Sequence, residues 1–164
     1  MAGDQKRELT IVRIFDVPRL VVWRAWTDPK IVTKWWGPRG VTTPTCEVDA
    51  RKGGKINIVM LAGSELGPMA GQEWPMEGTF EEVVAEERLV YTANALQDKN
   101  GSQTLLETKT TVIFEDLNGK TKLTIHILLT GSSDTPQAKF AVQGMEMGWN
   151  QQIEKLAEEL GRKQ

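Results

Sequence analysis

Between residues 42 and 130 apolar side chains recur at every second position, in six segments separated by short breaks, and beyond residue 134 the period lengthens to that of a helix. That change of period limits the chain to architectures in which a run of strands is followed by one long covering helix. The segments near 42 to 50, 54 to 62, 74 to 85, 88 to 96, 104 to 115 and 120 to 130 predict strands. Their breaks are Lys52-Gly53-Gly54, the looser GSELGPMAGQ, Glu86-Glu87, QDKNGSQ and DLNGK. Asn100-Gly101 and Asn118-Gly119 are the sharpest, since both residue types accept the positive φ that tight hairpins require. Sequential strands joined by short loops predict an antiparallel meander.

Ahead of the meander, ELTIVRIFDV sets Leu9, Ile11, Arg13 and Phe15 on one face and predicts a further strand, closed by Pro18. PRLVVWRAWTD brings Leu20, Val22, Trp23 and Trp26 to one side at helical spacing, with the helix starting at Pro18 or Arg19. A second short helix starts with Asp28 as N-cap and Pro29 at N1, runs through Ile31 and Val32 into Trp35 and Trp36, and stops at Gly37-Pro38. The last segment, DTPQAKFAVQGMEMGWNQQIEKLAEEL, is a long helix capped by Asp134 or Thr135 with Pro136 at N1. Its apolar stripe takes Phe140 or Ala141, then Met145, Trp149, Ile153, Leu156 and Leu160. Gly144 and Gly148 inside it are each about 1 kcal/mol less favourable than alanine, which predicts close packing of the helix on the sheet. Together these elements predict an α+β fold in a single domain, 1–164, with one curved antiparallel sheet and the long helix across its concave face. A gap can remain between helix and sheet.

The 164 residues suffice to bury a sizeable core without staples. The 20 Lys and Arg are scattered among 22 acids for a formal charge of -2, so the basic stripe that phosphate contacts need is missing and no nucleic-acid partner is expected. One cysteine, Cys46, excludes an internal disulfide, and one histidine, His126, excludes a multi-histidine metal site; no cofactor or metal is expected. The opening MAGDQKRELT has no apolar core of a signal peptide, and no run approaches the roughly 18 apolar residues of a membrane span. The expected location is the cytoplasm, with no membrane partner.

Each candidate site residue has a structural reading beside the functional one. Trp35 and Trp36 either anchor the helix pair or, with Trp36 at the rim of a cavity, stack on an apolar ligand. Met60, Met76 and Met145 suit an adaptable lining or an irregular core equally, and Met69 reads as a loop residue. His126 alternates with Leu123, Ile125 and Ile127 and so belongs to the opposite, solvent-facing side of its strand, away from acid-base work. Cys46, in PTCEVDA, has no flanking pattern of a nucleophile and reads as a small strand residue. Glu77 and Glu81 share the parity opposite to Met76 and Phe80, which predicts a solvated face rather than a catalytic pair. Glu146, near the helix glycines, remains as an isolated carboxylate.

The stretches FDVPRLVVWRAWTDPKIVTKWWGPRG, CEVDARKGG, EGTFEEVVAEERLVYT, VIFEDLNGKTKLTI and GMEMGWNQQIEKLAEEL resemble the family named for the activator of heat-shock protein 90 ATPase, in the START-like (SRPBCC, Bet v 1-like) superfamily. The resemblance spans about Leu9 to Leu160. It implies a helix-grip fold, strand, two helices, six strands and a helix, with an internal cavity between the terminal helix and the sheet. It also implies that Ile56, Ile58 and Met60, Trp74 and Met76, Leu89 and Tyr91, Val112 and Phe114, and Leu123, Ile125 and Ile127 face inward. Phe140, Met145 and Trp149 would descend from the helix, and Trp36 would sit near the opening. The implied ligand-binding set is Trp36, Ile58, Met60, Trp74, Met76, Tyr91, Val112, Phe140, Met145 and Trp149, with Trp36, Trp74 and Tyr91 setting orientation. The function so implied is non-catalytic binding of a small hydrophobic ligand. A chaperone-associated protein partner is the alternative, and a cyclase-like enzyme, which lacks an inward acid-base pair here, is the third. The chain is expected as a monomer or homodimer, the GSELGPMAGQ loop being able to cover a sheet edge.

Overall fold

The computed structural model describes residues 8–97 and 103–161, so the Asn100-Gly101 turn lies outside the described residues. Strand β1 (Glu8–Phe15) leads into helices α1 (Arg19–Thr27) and α2 (Pro29–Trp35). The meander follows as β2 (Val41–Val48), β3 (Lys55–Ala62), β4 (Glu73–Val84), β5 (Arg88–Leu96), β6 (Thr104–Leu117) and β7 (Lys120–Ser132), and helix α3 (Pro136–Leu160) completes the order. This is the helix-grip α+β architecture.

The local reasons match the chemistry of the turns and caps. Asp28 accepts a hydrogen bond from the Lys30 amide at 2.9 Å and Thr135 accepts one from Ala138 at 3.1 Å, with a proline in the first turn of each helix. Asn118 and Gly119 take φ of 53° and 91°, which closes the β6–β7 hairpin. GSELGPMAGQ, expected as a loose loop, contains tight 3-10 turns over Ser64–Met69, kinked at Gly67. The Gly63 amide donates to Gly40 O at 2.8 Å, fixing this insertion to the segment that follows α2.

All strands pair antiparallel in the order β1-β7-β6-β5-β4-β3-β2. The meander pairs neighbour with neighbour, and the first strand then joins the last, Leu9 opposite Ile127. Irregularities between Phe80 and Glu82, and between Glu107 and Thr108, add local twist to a sheet that must curve around a helix. The concave side is mostly apolar: Ile58, Leu89, Val112, Phe114, Leu123, Ile125 and Ile127 are all buried there, with Thr110 and Thr121 as buried polar members of β6 and β7. The C-terminal half of α3 closes it with Ile153, Leu156 and Leu160.

The N-terminal half of α3 differs from expectation. Phe140 is 64% exposed, whereas Ala138 is fully buried and Ala141 packs beside it on Leu106 and Leu129. Neighbouring helix positions lie about 100° apart, and the buried stripe passes through the small residues, which turns Phe140 to solvent. The glycines do not mark close packing either: a Cβ at Gly144 or Gly148 would meet nothing within 4 Å. Among the described residues no helix is long and apolar enough to cross a membrane.

Candidate functional site

Four of the six tryptophans meet where α1, α2 and α3 converge. Trp26 lies edge-on to Trp35 at 4.9 Å and to Trp36 at 6.3 Å, and Trp149 stacks on Trp26 at 6.4 Å while meeting Trp36 edge-on at 5.7 Å. Such offset and edge-to-face pairs gain beyond their area. Trp35 is wholly buried and donates its indole N–H to Ala25 O at 2.8 Å, which ties α2 to α1. Trp36 is 7% exposed, so it is a wall of the core rather than an exposed rim.

On the sheet side of this cluster lies a cavity of about 20 Å³. Trp26, Val32 and Trp36 form its helical wall; Val48, Ile56 and Ile58 come from β2 and β3, and Met76, Phe80, Leu89 and Tyr91 from β4 and β5. A volume of about 10 to 15 Å³ admits one water, so the space holds one water-sized body and not a ligand of several carbons without rearrangement. The long helix contributes no lining side chain; its Trp149 packs behind Trp26 and Trp36 instead.

Of the residues expected around a ligand, Trp36, Ile58, Met76 and Tyr91 meet at this cavity. Met60, Met145 and Trp149 are half-buried against the main core, and Val112 is buried in it, all without lining the space. Trp74 is half-buried with its indole donating to Gln72 Oε1 at 3.3 Å, and Phe140 faces outward; neither touches the cavity. Trp26, Val32, Val48, Ile56, Phe80 and Leu89 were missing from the expected ligand-binding set, although Ile56 and Leu89 were expected to face inward. Phe80 could have been found from its shared parity with Met76, and Trp26 from its place on the buried stripe of α1.

No charged side chain lines the cavity, and besides the Trp36 indole two of its lining residues carry polar groups, the Trp26 indole N–H and the Tyr91 hydroxyl. Both are buried, and neither has a hydrogen-bond partner among the described residues. Burial pushes the Tyr91 hydroxyl far above its ordinary range, against a weaker opposing pull from Thr110, whose approach does not meet the geometry of a full hydrogen bond. Tyr91 therefore stays protonated, able to donate as well as accept.

The WWGPRG segment behind the cavity is fastened to α3. Gly37 donates its amide to Gln152 Oε1 at 2.7 Å, and Arg39 donates its own to Gln151 Oε1 at 3.1 Å. The Arg39 guanidinium reaches Glu158 at 2.6 Å and Glu154 at 3.6 Å. Lys155 Nζ donates to the carbonyls of Trp36, Gly37 and Pro38 at 3.4, 3.1 and 3.5 Å, serving the end of α2 where carbonyls lack helical partners. Burial, and then the nearby Arg39 charge, lower the Lys155 pKa from its ordinary value.

The other candidates lie apart. His126 sits on the convex face with Nε2 2.9 Å from Glu8 Oε2. Cys46 is half-buried, its thiol pushed up to about 11 by burial and then by Glu47. Glu77 and Glu81 are exposed, and Glu81 pairs with Lys109 at 3.2 Å. Glu146 is exposed on α3. Among the described residues no three His, Cys, Asp or Glu side chains gather as a metal site.

A family model described as activator of Hsp90 ATPase homolog 1-like protein matches residues 16–161. Among curated proteins, none matches the sequence. The fold is similar to a crystal structure of a protein from Nitrosomonas europaea, 28% identical, covering 96% of each chain with a TM-score of 0.73. It is also similar to one from Chromobacterium violaceum, 25% identical over 96% of this chain and 99% of that one, TM-score 0.78. A solution structure from Arthrobacter aurescens is 28% identical over 93% of this chain and 85% of that one, TM-score 0.77.

Proposed function

The chain belongs to the activator of Hsp90 ATPase homolog 1-like family, and on that premise we propose that it binds a small apolar molecule between the helix pair and strands β2 to β5. The observation that supports this reading is the composition of the cavity wall: side chains from α1, α2 and four strands converge on one space without a charge among them. Sites of this kind bind by apolar burial and orient by a few polar atoms. The present space of about 20 Å³ must widen for that purpose. Met76 and Trp149, both half-buried at the margin of the cluster, are the side chains able to give way, and an unbranched thioether adapts to varied shapes. The molecule is taken to work in the cytoplasm, where the lone thiol of Cys46 stays reduced.

Native mass spectrometry of protein taken directly from cell extract, followed by denaturation, tests this. An apolar compound released at about one per chain, and absent from a Met76→Trp variant that fills the space, is the expected result. Protein with nothing retained, and with no change in its tryptophan or methyl NMR signals on titration with naphthalene to its solubility limit, would overturn the reading.

A further inference from the structure

We propose that the molecule accepted in this cavity is neutral and oxygenated, an apolar body carrying a carbonyl or hydroxyl that engages Trp26 Nε1 and the Tyr91 hydroxyl. The inference rests on the ligand-binding reading and adds the class of compound. Its basis is the pair of unpartnered polar atoms. Trp26 is 4% and Tyr91 3% exposed, both line the same cavity, and among the described residues neither the indole N–H nor the hydroxyl has a full hydrogen-bond partner, Thr110 only approaching Tyr91. Buried donors are almost always paired, so two on one apolar cavity mark where an acceptor belongs. A third unpartnered atom, Gln152 Nε2, is on a residue outside the cavity lining whose oxygen already holds Gly37.

The chemistry of the two groups narrows the class further. An indole N–H only donates, so the ligand must offer an acceptor; a phenol donates or accepts and tolerates a carbonyl or a hydroxyl. No cation lines the space, and the Lys155 ammonium is directed to the carbonyls of Trp36, Gly37 and Pro38. A carboxylate or phosphate would therefore lose its hydration without a counter-charge. A saturated or purely aromatic hydrocarbon would fill the space and leave both donors unmet.

The test compares naphthalene, 2-acetonaphthone and 2-naphthoate by NMR titration of the full chain, with the Trp26 indole signal identified as the one lost in Trp26→Phe. The ketone is expected to bind about three- to tenfold tighter than naphthalene, the range of one net hydrogen bond, and to move the Trp26 signal downfield. The carboxylate is expected to bind at least tenfold weaker than the ketone. Tyr91→Phe removes one oxygen with little change of shape, and so reads the effect even where Trp26→Phe fails to fold; the advantage of the ketone should shrink in it. Naphthalene binding as tightly as the ketone, or a ketone advantage undiminished in Tyr91→Phe with the Trp26 signal unmoved, would overturn the inference while leaving an apolar site. No binding by any of the three compounds would overturn the site and the inference together.

Discussion

Gly37→Ala decides whether the WWGPRG segment is a fixed anchor or a movable gate. Gly37 has φ of +94°, and a Cβ there would lie 3.1 Å from Val41 Cγ1 and 3.2 Å from Met60 Sδ. The positive φ costs an L-residue about 1–2 kcal/mol. Crowding adds to it: Val41 is buried and β-branched and cannot swing away, while the Met60 sulfur can, so the added penalty is about 1–2 kcal/mol. The total is about 2–4 kcal/mol, a fall of roughly 5–15 °C in Tm for a chain of this size. Gly53→Ala is the control, because Gly53 has φ of +82° but nothing within 4 Å of a Cβ. Its loss should stop at about 1–2 kcal/mol. Urea unfolding followed by tryptophan fluorescence measures both. Equal shifts in the two variants, or a loss below about 1 kcal/mol for Gly37→Ala, would mean that the segment yields freely and that the fastening to α3 is not rigid.

Trp35→Phe removes the indole bond to Ala25 O in a fully buried place and leaves space, so a loss of about 2–4 kcal/mol in urea unfolding is expected; less than about 1 kcal/mol would show that the α1–α2 tie is dispensable. With its thiol pushed up to about 11 from 9.0, Cys46 should react with iodoacetamide at pH 8 about 100-fold more slowly than a free thiol of pKa 9, its rate climbing until about pH 11; a plateau near pH 9 would refute the burial. The sign for stability follows: between about pH 9 and 11 the unfolded chain holds fewer protons on Cys46 than the fold does, so this group's contribution is full below 9 and falls as pH rises. Phe140→Ser should change stability by no more than about 0.5 kcal/mol, given its exposure; a loss above about 1.5 kcal/mol in thermal unfolding would return Phe140 to the core.

The strands were legible because alternation and turn chemistry agree locally: Asn118-Gly119 needs nothing beyond two residues to declare a hairpin, and Asp28-Pro29 nothing more to declare a helix start. The family resemblance likewise turned Ile58, Met76 and Tyr91 toward the cavity. It failed on the first half of α3, where Phe140 and Ala141 lie one residue apart and only the approach of Leu106 and Leu129 selects the smaller. The fastening of WWGPRG was invisible for another reason. Its partners Gln151, Gln152, Lys155 and Glu158 look like the solvated face of any surface helix, and they meet Gly37 and Arg39 across more than a hundred residues. The unpartnered state of Trp26 and Tyr91 is a property of packing, which no residue pattern encodes.

The pairing of β1 with β7, and of Gly37 and Arg39 with α3, sets the order in which a newly made chain can finish. Strands β2 to β6 each find a neighbour as soon as the next one leaves the ribosome, since every pairing among them is sequential. The first strand has no partner until residues 120 to 132 have been made, and Trp26 and Trp36 do not meet Trp149 until later still. The first strand of the sheet is therefore locked after the others, and Trp26 and Trp36 lack the Trp149 side of their packing until α3 has been made. The nascent chain is thus most exposed to aggregation just before its final helix emerges.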